Sequence, residues 1–403
     1  MELCDGPLWD LSLTWWTSEP DFTPCFHQLA LTGLPLVFLV ICMPLEIYLC
    51  FKWKAKPIPW NLRNIIRLLG IVLIIVMEIV ELVLTVTSSK KLFISSFFSP
   101  SAEIGAMVGA LILGWLNIKK GRQTSGVLFG FWTLRILCQS ATFASVVRFG
   151  DELGQVFNGV LFDIKYALGL AVYFLHFWAD SPTKEEKYAH GIKPSPVMTS
   201  SFPNQIIFGW MTGFLKTGWK RPISMGDLFD LYPSVKSANI FSKWQKHWNK
   251  LTSSRYNKKQ VNVLYPVFYT FGLSYLWSSL IQLLSVLFQQ ASPQALNLLI
   301  GFISSGEEQW KGYLYMIFLV SVNMIVIILN SQYFLQQLMI ALKMKSSLTS
   351  AIFRKSFKLT SGARKERSIN SFPIFTLGYS WTCLYGWSCS DAFANTNKCS
   401  NWN

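Results

Sequence analysis

The sequence predicts an all-α polytopic membrane protein with about seven transmembrane helices. Hydrophobic residues make up 51% of the chain, charged residues only 14%, and the mean hydropathy is +0.34. Apolar stretches recur that are long enough to cross roughly 30 Å of hydrocarbon as helices. Helices are expected because hydrocarbon offers no partner for a free backbone N–H group. The predicted spans are 29–51, 64–87, 98–118, 125–147, 156–179, 264–289 and 312–334.

The basic residues predict both the partner and the orientation. The net charge of +15 could suggest nucleic acid, but Lys and Arg sit between the apolar runs, as the positive-inside rule expects. The first and third loops carry most of this charge and are therefore predicted to be cytosolic: Lys52, Lys54, Lys56, Arg63, Lys119, Lys120 and Arg122. The amino terminus is then outside and the carboxyl terminus inside. The lipid bilayer is the predicted partner, and no nucleic acid is expected.

A long segment, 180–261, separates the fifth and sixth predicted spans and is expected to be cytosolic. Within it, "FPNQIIFGWMTGFLK" (202–216) is apolar but too short to span, which predicts an amphipathic helix lying at the membrane interface. "KWQKHWNK" (243–250) predicts a basic helix with Trp244 and Trp248 on one face. The residues expected to contact lipid are Phe202, Ile206, Ile207, Trp210, Phe214, Lys220 and Arg221.

Seven spans with an external amino terminus also fit a stand-alone seven-helix receptor. Its usual signals are missing, because the third span ends "GWLNIKKGR" without an acidic-Arg-aromatic triplet and the seventh lacks Asn-Pro-x-x-Tyr. A five-plus-two arrangement is the other reading, and four motifs favour it. They are "PLWDLSLTWWTSEPDFTPCF" (7–26), "FGWMTGFLKTGWKRPISMGDLFDL" (208–231), "SPQALNLLIGFI" (292–303) and "KSSLTSAIFRKSFKLTSGARKERS" (345–368).

In residue type and order these motifs resemble the multidrug resistance-associated protein family, the C subfamily of ABC transporters. The resemblance implies that 208–231 belongs to a lasso-like linker, that 292–303 is the loop after the sixth helix, and that 345–368 is the cytosolic extension of the seventh. The implied domains are an extracellular 1–28, a five-helix membrane domain 29–179, the linker 180–261, and the first two helices of an ABC exporter core bundle, 262–369.

The stretch 370–403 departs from the family. Its possible codons, read from the second base, allow a hydrophobic helix of the kind that the family places next, which predicts an aberrant, frame-shifted tail. The resemblance then implies a truncated exporter. Full-length relatives carry out ATP-driven efflux of organic anions and conjugates, with ATP and Mg²⁺ as cofactors.

The printed sequence has no G-x-x-x-x-G-K-[ST] phosphate loop, so this chain is expected to hold no cofactor and to be no enzyme on its own. The resemblance implies a plasma or vacuolar/lysosomal-type membrane. A further alternative is an accessory module that binds another transporter or channel, and a full-length transporter or another membrane protein is a possible partner.

Charged residues inside predicted spans are candidate functional sites. They are Glu78, Glu81, Arg135, Asp163 and Lys165, and pairing between helices is the favoured interpretation over a transport pathway.

Two further pairs of residues are candidate sites. In glutathione-conjugate exporters of the family, two basic positions of the sixth helix face the substrate; here they align with Gln282 and Ser285. Cys4 and Cys25 both lie outside, in an oxidising space, and could form a disulfide. No catalytic or metal site is predicted.

Overall fold

The computed structural model describes residues 4, 6–52, 57–87, 93–122, 125–149, 156–178, 195–229, 235–254 and 264–358. These ranges contain helices and no strand, which confirms the all-α prediction. The helices are α1 (Leu11–Thr14), α2 (Pro24–Phe26), α3 (Thr32–Lys52), α4 (Leu62–Thr87), α5 (Ile94–Lys119), α6 (Gly126–Phe149), α7 (Val156–Leu175), α8 (Pro196–Thr199), α9 (Phe202–Ile206), α10 (Thr212–Lys220), α11 (Ser237–Ser254), α12 (Leu264–Ser305) and α13 (Gln309–Lys358).

Within the described ranges, six helical stretches are long and apolar enough to cross a membrane. They are Pro24–Lys52, Leu62–Thr87, Ile94–Lys119, Gly126–Arg148, Tyr265–Ser305 and Gln309–Arg354. Helix α7 occupies the place of the fifth predicted span but is not among the six, so a seventh crossing stays a prediction. The tail 370–403 and much of the linker, including 179–194, lie outside the described residues.

The last two helices are longer than a bilayer requires. α12 has 42 residues and α13 has 50, which at 1.5 Å per residue is about 63 and 75 Å. The predicted loop at 292–303 is wrong, because α12 continues to Ser305 and the chain turns at Gly306, with φ of +63°. Pro293 lies inside the helix without ending it, and Ala295, two residues later, is fully buried. The left-handed glycine, not the proline, stops the helix.

The chain divides into two compact units, Met1–Asp230 with Gln294–Val320, and Leu231–Pro293 with Ser321–Asn403. In the first unit, α5 packs against α3 and α4, while α6 and α7 close the bundle. Large apolar side chains fill its core: Leu39, Ile71, Ile74, Met107, Leu113, Leu128, Phe131, Trp132 and Val172. Close packing extends to Gly70, where a Cβ would lie 2.6 Å from Val172 Cγ2. The five-helix domain therefore has a core of its own.

The second unit is centred on helix α11. Its apolar face packs onto α12 and α13 through a cluster of Ile240, Phe241, Trp244, Phe271 and Ile340. Trp244 and Trp248 stack with ring centroids 5.2 Å apart, as expected for residues four apart on one helical face. This basic helix is therefore held by apolar contacts, with its Lys side chains on the remaining surface.

The continuous interfacial helix predicted over 202–216 is wrong. The segment is α9, a 3-10 turn over Gly209–Met211, and α10. Phe208 adopts a left-handed φ of 59°, which is rare for a bulky residue and interrupts the helix. A Cβ on Gly209 would lie 2.0 Å from Asn204 Oδ1, so the amide packed over this glycine fixes the break.

Candidate functional site

Lys165 on α7 joins two carboxylates of α4. Its Nζ lies 3.0 Å from Glu78 Oε1 and also contacts Glu81 Oε2. Glu78 and Lys165 are buried, whereas a third of the Glu81 side chain is exposed. An ammonium shared by two carboxylates compensates charges that would be costly alone in an apolar interior. Three of the predicted intramembrane charges are thus brought together as a link between α4 and α7.

Arg135 on α6 forms a second group with α5. Its Nε lies 3.1 Å from Glu103 Oε2, and Gln139 Nε2 donates to Glu103 Oε1 at 3.2 Å. The guanidinium also lies over the Trp132 ring, 5.5 Å from its centroid. A Cβ on Gly169 of α7 would lie 2.6 Å from Arg135 Nη1. Arg135 is fully buried. Its side chain therefore lies between α5, α6 and α7.

A third polar group lies at Glu46 of α3, which is completely buried. Arg122 Nη1 lies 3.0 Å from Glu46 Oε2, and Asn117 Nδ2 approaches Glu46 Oε1 at 3.5 Å. Cys50 Sγ donates to Asn117 Oδ1 at 3.0 Å. This group ties the carboxyl end of α3 to that of α5.

The candidate list from the sequence missed Glu46 and Glu103. Each is a single carboxylate inside an apolar run, the same signal that pointed to Glu78, and that signal could have found them. Asp163 was predicted but joins none of these groups. Its Oδ1 is buried and has no hydrogen-bond partner among the described residues.

A cavity of about 40 Å³ lies between the ends of α4, α5, α6 and α7. Its polar lining includes Asn64, Arg67, Asn117, Arg122 and His176. These groups already bond within the protein, as when Arg67 Nη2 donates to the Leu175 carbonyl at 2.8 Å. A space of this size holds a few water molecules. It is too small for an organic substrate.

A ladder of side-chain hydrogen bonds joins α12 to α13. Gln337 Nε2 donates to Ser278 Oγ at 3.1 Å, Ser285 Oγ to Asn330 Oδ1 at 2.8 Å, and Ser292 Oγ to Asn323 Oδ1 at 3.4 Å. Ser285 is 1% exposed, so its hydroxyl faces the neighbouring helix. Gln282 lies one turn away, and its buried Oε1 has no hydrogen-bond partner within the described part of the chain. The two predicted substrate-facing residues therefore lie at this helix contact.

The predicted lipid-contact residues are partly or fully exposed. Phe202 packs on Phe129 of α6, with centroids 5.8 Å apart, and Phe214 packs on Phe229 at the same distance. Ile207 is 70% exposed, and Trp219, which lies further along the chain and outside the predicted set, is 92% exposed. Of the remaining residues in the set, Ile206 and Trp210 are partly exposed, and Lys220 and Arg221 are exposed.

Arg221 also closes a short turn after α10. Its two guanidinium nitrogens donate to the Asp227 carboxylate at 2.8 and 2.6 Å. These hydrogen bonds, followed by those from Ser224, hold the pKa of Asp227 well below its usual range. The pair fixes the chain direction at the end of the exposed basic and apolar segment.

Cys4 and Cys25 form a disulfide that ties the amino-terminal segment to α2. In the part of the chain that the structure describes, no group of three or more His, Cys, Asp or Glu side chains could hold a metal ion. The site chemistry is therefore that of paired buried charges and interhelical hydrogen bonds.

Comparisons with known proteins agree with this architecture. Residues 12–152 match the ABC transporter TMD0 domain family. Human ATP-binding cassette sub-family C member 3 is 24% identical over 90% of the chain and 26% of its own length. Rat sub-family C member 2 is 24% identical over 91% and 27%, and Caenorhabditis elegans multidrug resistance protein mrp-7 is 23% identical over 88% and 25%.

The chain thus spans about a quarter of the length of these relatives. The TMD0 match covers the amino-terminal part of the chain, and the division into five plus two helices stays a prediction. Residues 12–152 are therefore similar to a TMD0 domain, and the chain is similar to an amino-terminal fragment of the multidrug resistance-associated proteins of ABC sub-family C.

Proposed function

We propose that these residues form the amino-terminal membrane portion of an ATP-driven exporter of organic anions and their conjugates. The observation that carries the proposal is the alignment of about nine tenths of the chain, in one order, with sub-family C proteins of human, rat and worm. In this proposal α12 and α13 begin the transport bundle. The five-helix domain is accessory in this proposal, because within each of its three polar groups the opposite charges pair.

ATP and Mg²⁺ would then act at nucleotide-binding domains that the printed residues do not contain, since no phosphate-cradling loop occurs in them. Purified chain in nanodiscs should show no ATP hydrolysis above that of empty nanodiscs. A longer chain that also contains nucleotide-binding domains should hydrolyse ATP and should be stimulated by an organic anion. Coupled-enzyme ATPase assays and photolabelling with azido-ATP measure both. Saturable labelling of the short chain would contradict this assignment of ATP chemistry.

The amino terminus is proposed to be outside the cytosol and the carboxyl terminus inside, in a plasma or vacuolar/lysosomal-type membrane. The basic first and third loops support this orientation. The Cys4–Cys25 disulfide supports it independently, because such bonds persist in oxidising compartments.

Epitope tags test this orientation. For chain at the plasma membrane, a tag after residue 2 should be stained on intact cells, and a tag after residue 403 only after permeabilisation. A tag in the 180–194 segment, which should behave like the carboxyl terminus, is the internal control. Staining of both termini on intact cells would contradict an odd number of crossings.

The segment 202–229 is proposed to contact the lipid surface. Its exposed apolar residues and its cations lie close together in sequence, and they include Ile207, Leu215, Lys216, Trp219, Lys220 and Arg221. Apolar side chains can enter the headgroup region while nearby cations attract anionic lipid, at roughly 1 kcal/mol for each cation.

A peptide of residues 195–235 fused to a fluorescent protein tests this proposal. It should sediment with vesicles containing phosphatidylserine and be released as salt rises. Replacement of Ile207 and Trp219 by Asp should abolish sedimentation. The control replaces Thr212 and Thr217 by Asp, which adds the same charge but removes no large apolar side chain, and should weaken binding less. Equal losses in the two variants would show that charge alone governs binding.

A further inference from the structure

Three tryptophans surround the ammonium group of Lys311. Its Nζ lies 5.1 Å from the ring centroids of Trp15 and Trp16 and 5.9 Å from that of Trp310. These distances are within the range of cation–π attraction. Glu307 Oε2 is 3.0 Å from the same nitrogen, and Lys311 is only 4% exposed. A lysine at the start of a long helix is thus enclosed by aromatic faces, two of which come from the amino-terminal segment.

Other contacts align the same two segments. Trp310 Nε1 donates to the Thr17 carbonyl at 3.0 Å. The Trp15 ring stands nearly perpendicular to that of Trp310, with centroids 5.6 Å apart, and also meets Tyr315 at 6.3 Å. All of these residues belong to the first compact unit. The contact therefore combines a cation, a hydrogen bond and packed rings, which no single surface lysine would provide.

The other end of the amino-terminal segment is anchored to the five-helix domain. The disulfide joins Cys4 to Cys25, and Thr23 Oγ1 donates to the Leu8 carbonyl at 2.7 Å. Ser145 Oγ on α6 donates to Asp21 Oδ2 at 2.7 Å, and Arg148 Nη1 donates to the Pro20 carbonyl at 3.1 Å. Residues 8–23 are therefore held at α2 and α6 on one side and at Lys311 on the other.

We propose that residues 8–23 act as a strap that binds the α12–α13 turn, with Trp15, Trp16 and Trp310 forming an aromatic box for the Lys311 ammonium. The turn cannot move away from the strap unless the ammonium leaves the box and the Trp310–Thr17 hydrogen bond breaks. The strap goes beyond the proposed transport function, because it assigns a holding role to the amino-terminal segment.

Amine acetylation of the full chain in nanodiscs tests the box, since the reagent reaches both faces of the disc. Mass spectrometry would compare the acetylation rate of Lys311 with that of exposed Lys246 on α11. Lys311 should react at least roughly tenfold more slowly than Lys246, because its enclosure must open first. Replacing Trp15 and Trp16 by Ala should raise the rate of Lys311 toward that of Lys246. The control Trp9→Ala alters a ring that packs on Phe22 and Phe26 instead, and should leave Lys311 protected.

Buried Lys165 reports whether the variants remain folded, because it should stay unreactive in all of them. If Lys165 becomes reactive in the double Trp variant, that variant is unfolded and cannot test the box. Chymotryptic cleavage of the strap in Lys311 variants then tests whether the ammonium holds the strap in place. Lys311→Met should accelerate cleavage after Trp15 and Trp16, and Lys311→Arg should restore resistance because guanidinium also stacks on aromatic faces. Rapid acetylation of Lys311 in the unaltered chain, or equal cleavage of the Met and Arg variants, would overturn the proposal.

Discussion

Replacing Lys165 by Met should lower the free energy of unfolding of the chain by about 3–5 kcal/mol, the usual cost of removing one partner from a buried ion pair. The side chain keeps most of its length, so packing changes little. Glu78 and Glu81 lose the ammonium that they share, and Glu78 has almost no access to water. Denaturant unfolding in mixed micelles, followed by tryptophan fluorescence, measures the change.

Two variants make this result interpretable. Lys220→Met alters an exposed lysine of α10 and should change the free energy of unfolding by less than about 0.5 kcal/mol. The triple variant with Glu78→Gln, Glu81→Gln and Lys165→Met should recover much of the lost stability, because no uncompensated charge remains. A Lys165→Met chain that unfolds at the same denaturant concentration as the original would show that the link between α4 and α7 contributes nothing.

Replacing Trp132 by Ala should cost about 3–5 kcal/mol, the range for emptying a large aromatic site in a packed core. Trp132 is fully buried among Phe131, Met107 and neighbouring side chains. In a membrane the loss comes chiefly from missing van der Waals contacts, because lipid is as apolar as the core. Arg135 would also lose the ring beneath its guanidinium.

Trp178→Ala is the matched control. Trp178 is 58% exposed beyond the end of α7, and its removal should change stability by less than about 0.5 kcal/mol. Thermal unfolding followed by size-exclusion chromatography compares the two variants on the same scale. Equal losses from both sites would mean that the core around Trp132 is not packed as the structure shows.

The sequence predicted the helical class and the family because both follow from features that neighbouring residues carry. The length of an apolar run indicates a transmembrane helix, and the order of the motifs along the chain indicates the family that the chain resembles. It also placed Lys165, Glu78 and Glu81 among the notable charges. It could not pair Arg135 with Glu103 or Glu46 with Arg122, because those partners lie on different helices and only the bundle brings them together.

Two predictions of local backbone structure, at 202–216 and 292–303, were wrong. The segment 202–216 has the composition of one amphipathic helix, and composition does not reveal that Asn204 packs over Gly209 and that Phe208 turns left-handed. At 292–303, the resemblance indicated a loop, whereas the helix continues through Pro293 to Ser305 and the chain turns at Gly306. At 202–216 a close contact between Asn204 and Gly209 accompanies the break, and residue propensities do not describe such a contact.

The ladder between α12 and α13 has a period that limits how these helices can slide. Its serines, at 278, 285 and 292, are seven residues apart, and so are the amides at 323, 330 and 337. Displacement by one whole period, about 10.5 Å along the axis, would pair Ser278 with Asn330 and Ser285 with Asn323, keeping two rungs of three. Smaller displacements would leave every rung broken. The spacing therefore means that only a displacement by a whole period would preserve hydrogen bonds of this ladder.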